Sequence, residues 1–483
     1  MKKSILAIMV FLLSTTMLFA SGAQEKEENA TTDDGTIILR AIDWSDSKTT
    51  ERAAFNKKFE EEHPGVKVEY TCLTIDQFKN TIVTMLKGDD APDLFPVPNN
   101  MNLPTCVDQG WFQPITQYVD DEFLSTLKQS QLVNGISYYN GELYSFPETD
   151  SIINSVFFVN MDLLEQAGVK QLPKTYSEFI DACQKVVDST NGEAYGLIEG
   201  GKQFNRNQVM ATALCSMAGG KIGDGGKQIV TVDGKSTFNS AEMKGALDFL
   251  NTLAAKGLIY PDTPNINAPT ARDLFAQGNA AFLMQGNWCV APWLASYPEF
   301  TNYTTVAPPV PDNQSEKYGC PSTMPQSWLG VYKNSKHPEL AAEYYMALYE
   351  DKYGYQEALV SGGGAISLVP TINEKYMSNQ HLIDFYNTAQ DCSRVIPVAT
   401  VRDMDAYKVY SSVHEVSPTL GAIVQGIFAQ SLPTYNEELD KLANAQTKEW
   451  NRAANAAGVD LSLFEFPNWD LTKDYMANDY AQL

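Results

Sequence analysis

Residues 36–95 constrain the fold more than any other part of this chain. TIILRAIDW reads as a strand; Ala54, Phe55 and Phe59 then share one face of a helix that Ser47 can cap. His63-Pro64-Gly65 stops that helix, and VKVEY alternates as a second strand. A second helix, with Phe78, Ile82, Met85 and Leu86 on one face and Gly88 past its end, leads to Pro92-Asp93-Leu94-Phe95, the start of a third strand. Strand, helix, strand in succession is the mark of an α/β layer with parallel strands, whose ligands sit at the strand carboxyl ends.

Similar signals recur downstream. Asn140-Gly141 marks a tight turn, and residues 156–159 form a strongly apolar strand. Thr175 and Glu178 make a capping box for a helix that buries Phe179, Cys183 and Val186 or Val187. Residues 241–256 read as a helix with Met243, Leu247 and Leu250 inward and Gly257 at its stop; Pro338 opens another with Leu340, Tyr344 and Leu348 inward. Two more helices, 419–430 and 435–456, close the chain. In DLFAQGNAAFLMQGNW (273–288), a helix ends, Gly278 takes a left-handed cap, and 280–284 form a buried strand. Gln285-Gly286-Asn287 then turn at the surface, where the indole of Trp288 needs either a neighbour to pack on or a ligand to meet.

The length of 483 residues suits two or three domains, and a hydrophobic content of 44% argues against general disorder. Lys2-Lys3, the apolar run 5–13 and the small residues that follow read as a secretory signal, residues 1–23, cleaved after Ala23 or Ala20. Residues 24–35 read as a flexible lead-in. No cysteine lies near the cleavage region to carry a lipid anchor, so a periplasmic location is expected. The net charge of -24, about -26 without Lys2 and Lys3, makes nucleic acid and anionic lipid poor partners. Seven scattered cysteines without a C-x-x-C leave at least one thiol unpaired within a monomer. Small buried hydrophobes are the simpler reading of them; one or two long-range disulfides are the alternative, and sequence pairs none.

Enzyme signatures fail on context. The glycines from Gly219 to Gly226 follow a helix and precede a strand, the reverse of a phosphate-cradling loop, and Ser361-Gly362-Gly363-Gly364 lacks the lysine and hydroxyl of a P-loop. His63, His337, His381 and His414 are too dispersed for a zinc motif, so no metal or cofactor is implied. Glu148 and Asp150 could be a pair of catalytic carboxylates, as in a glycosidase, but acidic loop residues are common in so acidic a chain.

Taken in order, FNKKFEEEHPGVKVEY, MLKGDDAPDLF, GWFQPI, GELYSFP followed by SVFFVNMDLLEQAG, LPKTYSEFIDACQKV, DLFAQGNAAFLMQGNW and SKHPELAAEYYMAL resemble the extracellular solute-binding proteins of ABC importers, in the maltose-binding-protein-like group. The resemblance covers essentially all of the chain after the signal. It implies a two-lobed α/β periplasmic-binding-protein-like fold of type II, each lobe a mixed sheet flanked by helices and joined by hinge crossovers. The N-lobe would comprise 36–148 and 322–368, and the C-lobe 149–321 and 369–483, with crossings near 148–154, 320–330 and 367–371. It further implies a monomer that captures a carbohydrate, an oligosaccharide by preference, between the lobes and delivers it to the transmembrane subunits of an ABC permease.

Position by position, the resemblance puts Trp288 and Asn287 in the cleft, with Trp44 after the first strand, Asn99 and Asn100 after the third, and Glu148 and Asp150 in the first crossover. Asn207, beside Arg206, Trp328 at the second return and Glu415 before the late helix complete the set; core packing competes for Trp44 and hinge packing for Trp328. A pyranose face stacked on an indole, with amides and carboxylates for its hydroxyls, fits these residue types. The rival readings are the same fold holding a polyamine, glycerol phosphate or metal chelate, a secreted glycosidase built on Glu148 and Asp150, and a sensor subunit for a membrane receptor.

Overall fold

The computed structural model describes residues 35–44, 48–88, 91–99, 101–150, 155–223, 229–322, 327–432, 434–475 and 479. The signal segment, Ser47 and Asn100 lie outside these residues. The strands that matter for the site are β1 (Ile37–Asp43), β2 (Val66–Cys72), β3 (Leu94–Pro96), β4 (Val156–Asn160), β5 (Tyr195–Ile198), β6 (Ala280–Gln285), β7 (Tyr303–Val306), β8 (Cys320–Ser322), β9 (Leu329–Val331) and β10 (Ser393–Val395).

Eight of them form two separate four-stranded sheets, ordered β9-β3-β1-β2 and β7-β4-β6-β5, and β8 pairs with β10 in a parallel two-stranded sheet. In the first, β1 runs parallel to β2 and β3, and β9 returns antiparallel, Leu329 opposite Pro96. In the second, β6 is parallel to β5 but antiparallel to β4, Gln285 opposite Val156, and β7 is antiparallel to β4. Both sheets are therefore mixed, and each becomes so where a strand arrives from the other lobe: β4 from the first, β9 from the second.

Each sheet has its own core. Leu39, Phe55, Phe59, Leu94, Phe146 and Tyr344 pack on one face of the first sheet, while Ile42, Phe78, Ile82, Phe95 and Phe112 pack in a second cluster beside it. The second sheet carries the largest core, in which every residue of β4 and β6 is buried. A fully buried Phe such as Phe157 contributes about 2–3 kcal/mol by burial, so these continuous apolar strands anchor the lobe. Helices cover both sheets where the apolar spacing placed them. Thr175 and Glu178 form both halves of the capping box on Tyr176–Ser189, Ala241–Ala255 buries Met243, Leu247 and Leu250, and Pro338–Ala347 buries Tyr344.

Three details depart from the sequence reading. The first helix, Thr49–Glu62, turns Arg52, Phe55, Asn56 and Phe59 inward, and Ala54 outward; a buried carboxylate recruits Arg52. Ile372, on the helix Pro370–Tyr376, belongs to the first lobe's core, whereas Phe385 on the next helix belongs to the second. The last crossing thus follows Met377 instead of falling at 367–371. Finally, Trp450, Phe464, Phe466 and Trp469 gather with Val409 and Val230 in a third small core at the chain's end.

Candidate functional site

The topology brings particular chain ends together. β9 enters its sheet beside the carboxyl end of β3, and β4 enters beside the carboxyl end of β6. Both sheets therefore turn the carboxyl ends of their parallel strands toward the crossovers. That end of the first sheet carries Asp43, Trp44, Val97 and Asn99; that end of the second carries Glu199, Gly200, the helix start at Phe204, and the run from Gln285 to Trp288.

On the first lobe the centre is a buried ion pair. Asp43 Oδ2 lies 3.2 Å from Arg52 Nη2, both side chains are 1% exposed, and Asp43 Oδ1 accepts from the Trp44 amide at 2.6 Å. Burial raises the pKa of Asp43, and the Arg52 charge opposes the rise. The Arg52 guanidinium lies 4.9 Å from the ring centroids of both Trp328 and Tyr355, and 5.3 Å from that of Tyr70. Nearby, Lys48 Nζ meets Glu148 Oε1 at 2.7 Å, and the Tyr355 hydroxyl donates to the same carboxylate at 3.3 Å. Trp44 is half-buried, with its ring edge-on to Phe78 at 5.2 Å.

The second lobe repeats the device. Glu199 is fully buried; its Oε1 accepts from the Gly200 amide at 2.7 Å, and its Oε2 lies 3.7 Å from Arg206 Nη2. Burial raises the Glu199 pKa and Arg206 opposes it. Arg206 also donates to the Met284 carbonyl and stands 5.9 Å from the Trp288 ring centroid. A Cβ on Gly286 would fall 2.1 Å from Trp288 Cζ3, so glycine is required there for the indole to lie across the backbone. Trp288 remains half-buried after these contacts. The expected surface turn is in fact the end of β6, with Gln285 fully buried, followed by a short 3-10 turn Asn287–Cys289.

Among the described residues, the lobes touch in at least two places. Asn287 Nδ2 donates to the Gly364 carbonyl at 3.4 Å, and Gly363, at φ +75°, has Val290 Cγ1 2.7 Å from where its Cβ would be. The Ser361-Gly362-Gly363-Gly364 run is thus a close-approach loop between lobes. Elsewhere, the Tyr407 hydroxyl donates to Asp108 Oδ2 at 2.6 Å, Tyr139 also donates to Asp108, and Thr105 and Ser411 share a hydrogen bond of 2.6 Å.

Among the expected site residues, Trp44, Glu148, Asn287 and Trp288 stand at these crossover-facing ends, and Asn99 is exposed at its own. Two expectations need correction. Asn207 is fully buried and its amide donates to the carbonyls of Gly201 and Gly421, so it joins two backbone segments. Trp328 is 4% exposed, sealed between Arg52 and Tyr345, a packing position. Asp150 is occupied by Lys128 at 2.6 Å, and Glu415 is exposed. Glu148 and Asp150 are each held by a different lysine, Lys48 and Lys128. Arg52, Glu199 and Phe204 went unread in sequence; Phe204 is 45% exposed at the start of the helix Phe204–Met217, an unusual place for a phenyl ring.

Comparison with known proteins places this geometry. The family model for bacterial extracellular solute-binding proteins matches residues 43–355. The diacetylchitobiose binding protein DasA of Streptomyces coelicolor is 23% identical over 304 residues, 62% of this chain and 66% of that protein. An ABC transporter solute-binding protein from Thermotoga lettingae, bound with alpha-D-tagatose, superposes with a TM-score of 0.66 at 20% identity, covering 86% of this chain and 99% of that one. The GacH receptor of Streptomyces glaucescens, solved unliganded and with acarbose, superposes at 0.65 with 17% identity, covering 86% and 98%.

Proposed function

We propose that this protein, which belongs to the bacterial extracellular solute-binding proteins, captures a carbohydrate between its lobes and hands it to an ABC permease. The observation that carries the proposal is Trp288: a half-buried indole laid across Gly286 at the carboxyl end of β6, with Asn287 beside it and the other lobe opposite. A rigid, half-buried ring suits the C-H face of a pyranose, and the neighbouring amide suits its hydroxyls. Trp44, Asn99 and Glu148 supply the facing wall, and Asn100 follows Asn99 in sequence. The relatives support the ligand class, since the molecules named with them are diacetylchitobiose, tagatose and acarbose.

Mechanistically, a ligand touching both walls favours the closed arrangement, because only closure lets both lobes contact it at once. Glu148, in the crossover and paired with Lys48, couples the hinge to the first wall. The chain would work as a monomer in the periplasm after loss of residues 1–23, its lobe rims docking on the permease. Binding and release complete the cycle, so no bond of the ligand is broken.

Isothermal calorimetry and tryptophan fluorescence with diacetylchitobiose, maltotriose, xylo-oligosaccharides and tagatose test the reading. Saturable heat with at least one of them is expected. A flat response to all of them, alongside saturable binding of spermidine or glycerol phosphate, would overturn the carbohydrate assignment.

A further inference from the structure

Cys320 and Cys392 differ from the other cysteines. Cys320 opens β8 and lies opposite Ser393 in parallel β10, while Cys392 is the residue before Ser393 and the last of the helix Gln380–Cys392. The backbones are close: a Cβ on Gly319 would stand 3.0 Å from the Cys392 carbonyl oxygen. Each thiol meets a backbone carbonyl at 3.8 Å, Cys320 that of Ser155 and Cys392 that of Ala389. They are 0% and 2% exposed. By contrast, Cys215 faces the Ser240 hydroxyl, Cys289 the Gln285 amide and Cys183 the backbone of Gly196.

Adjacent strands stand about 4.8 Å apart, and a disulfide spans roughly 4.4–6.8 Å between Cα atoms, so Cys320, opposite Ser393, is within reach of Cys392, the residue that leads into β10. The family acts outside the cytoplasm, where disulfides form and persist. We infer that Cys320 and Cys392 become a disulfide in the exported protein, tying the strand by which the chain leaves the second lobe to the helix by which it returns. The bridge encloses all of the first lobe's late segment, β9 and the helices up to Tyr376, and anchors both of its crossings on the second-lobe side.

The oxidant is an extracytoplasmic dithiol oxidoreductase in its disulfide form. One cysteine thiolate attacks an oxidoreductase sulfur, breaking that disulfide and forming a mixed one; the second thiolate then attacks the mixed disulfide and closes the intramolecular bond. Two electrons and the two thiol protons end on the oxidoreductase as its dithiol. Because the folded thiols are buried, the exchange precedes final closure of the fold.

The test is peptide mapping of the full chain exported from a bacterial host, denatured in N-ethylmaleimide without reductant. The inference expects five labelled cysteines and one cross-linked peptide pair, Cys320 with Cys392, two hydrogens lighter than the separate peptides. Reduction should free both and lower the thermal midpoint. C320S should leave Cys392 labelled, and since the wild-type map needs no variant, a misfolded C320S does not obscure the result. Full labelling of both positions after refolding in oxidised glutathione, or cross-linking of either to a different cysteine, would overturn it.

Discussion

At the scale of single residues, the site rests on two aromatic positions with opposite roles. Trp288 stays half-buried, whereas Trp328, 4% exposed, packs against Arg52 and Tyr345. Trp288→Ala is expected to weaken sugar binding about 10- to 100-fold by calorimetry, the loss of one stacking platform, with the circular dichroism spectrum unchanged. Arg52→Met tests the other lobe. It leaves Asp43 buried without its counter-charge, and should lower the unfolding free energy by about 3–5 kcal/mol in urea titrations. Adding Asp43→Asn to the same variant removes the stranded charge and should recover part of that loss. Neither Arg52 nor Glu199 could be read from spacing, because a buried arginine or glutamate looks in sequence like any surface charge until its partner arrives from another element.

Elements were the most legible scale. Thr175 with Glu178, Pro338 at a first helical position and Gly278 after a helix all signal through contacts within a few residues, and each does so in the structure. The long helix Tyr435–Ala457 shows what such local signals leave out. Its Glu449 carboxylate accepts from Arg452 and, at 2.7 Å, from the His414 amide, and these hold its pKa down to about 2. A carboxylate depressed in the folded state stabilises fully above its ordinary value of 4.5 and loses that contribution as pH falls through 4.5 toward about 2. Solvent near Arg452 screens the pair, so the share is small. Acid unfolding of Glu449→Gln should accordingly be shallower between those values, with the two stabilities converging only below about pH 2, as followed by tryptophan fluorescence.

For the whole molecule, the decisive features are where the lobes meet. Asp108 accepts from Tyr139 of its own lobe and from Tyr407 of the C-terminal segment, the second a bond between segments. Asp108→Ala should speed sugar release about three- to tenfold in stopped-flow displacement, with the association rate little changed. An unchanged release rate would show that this contact persists in both arrangements. The third crossing belongs to this scale as well: the helix Pro370–Tyr376 has turn and capping signals that fit either lobe, and only the placement of Ile372 in the first core assigns it.

What the sequence determined by itself was the alternation that yields mixed sheets flanked by helices, the caps that bound them, and the segments that mark the family; these depend on neighbours a few residues apart. Tertiary structure alone decided that Arg52 would turn inward, that Asn207 and Trp328 would pack inside, and that Cys320 would lie against Cys392. The reason is physical: burial and pairing depend on residues tens to hundreds of positions away, and periodicity carries no information about which of them will arrive.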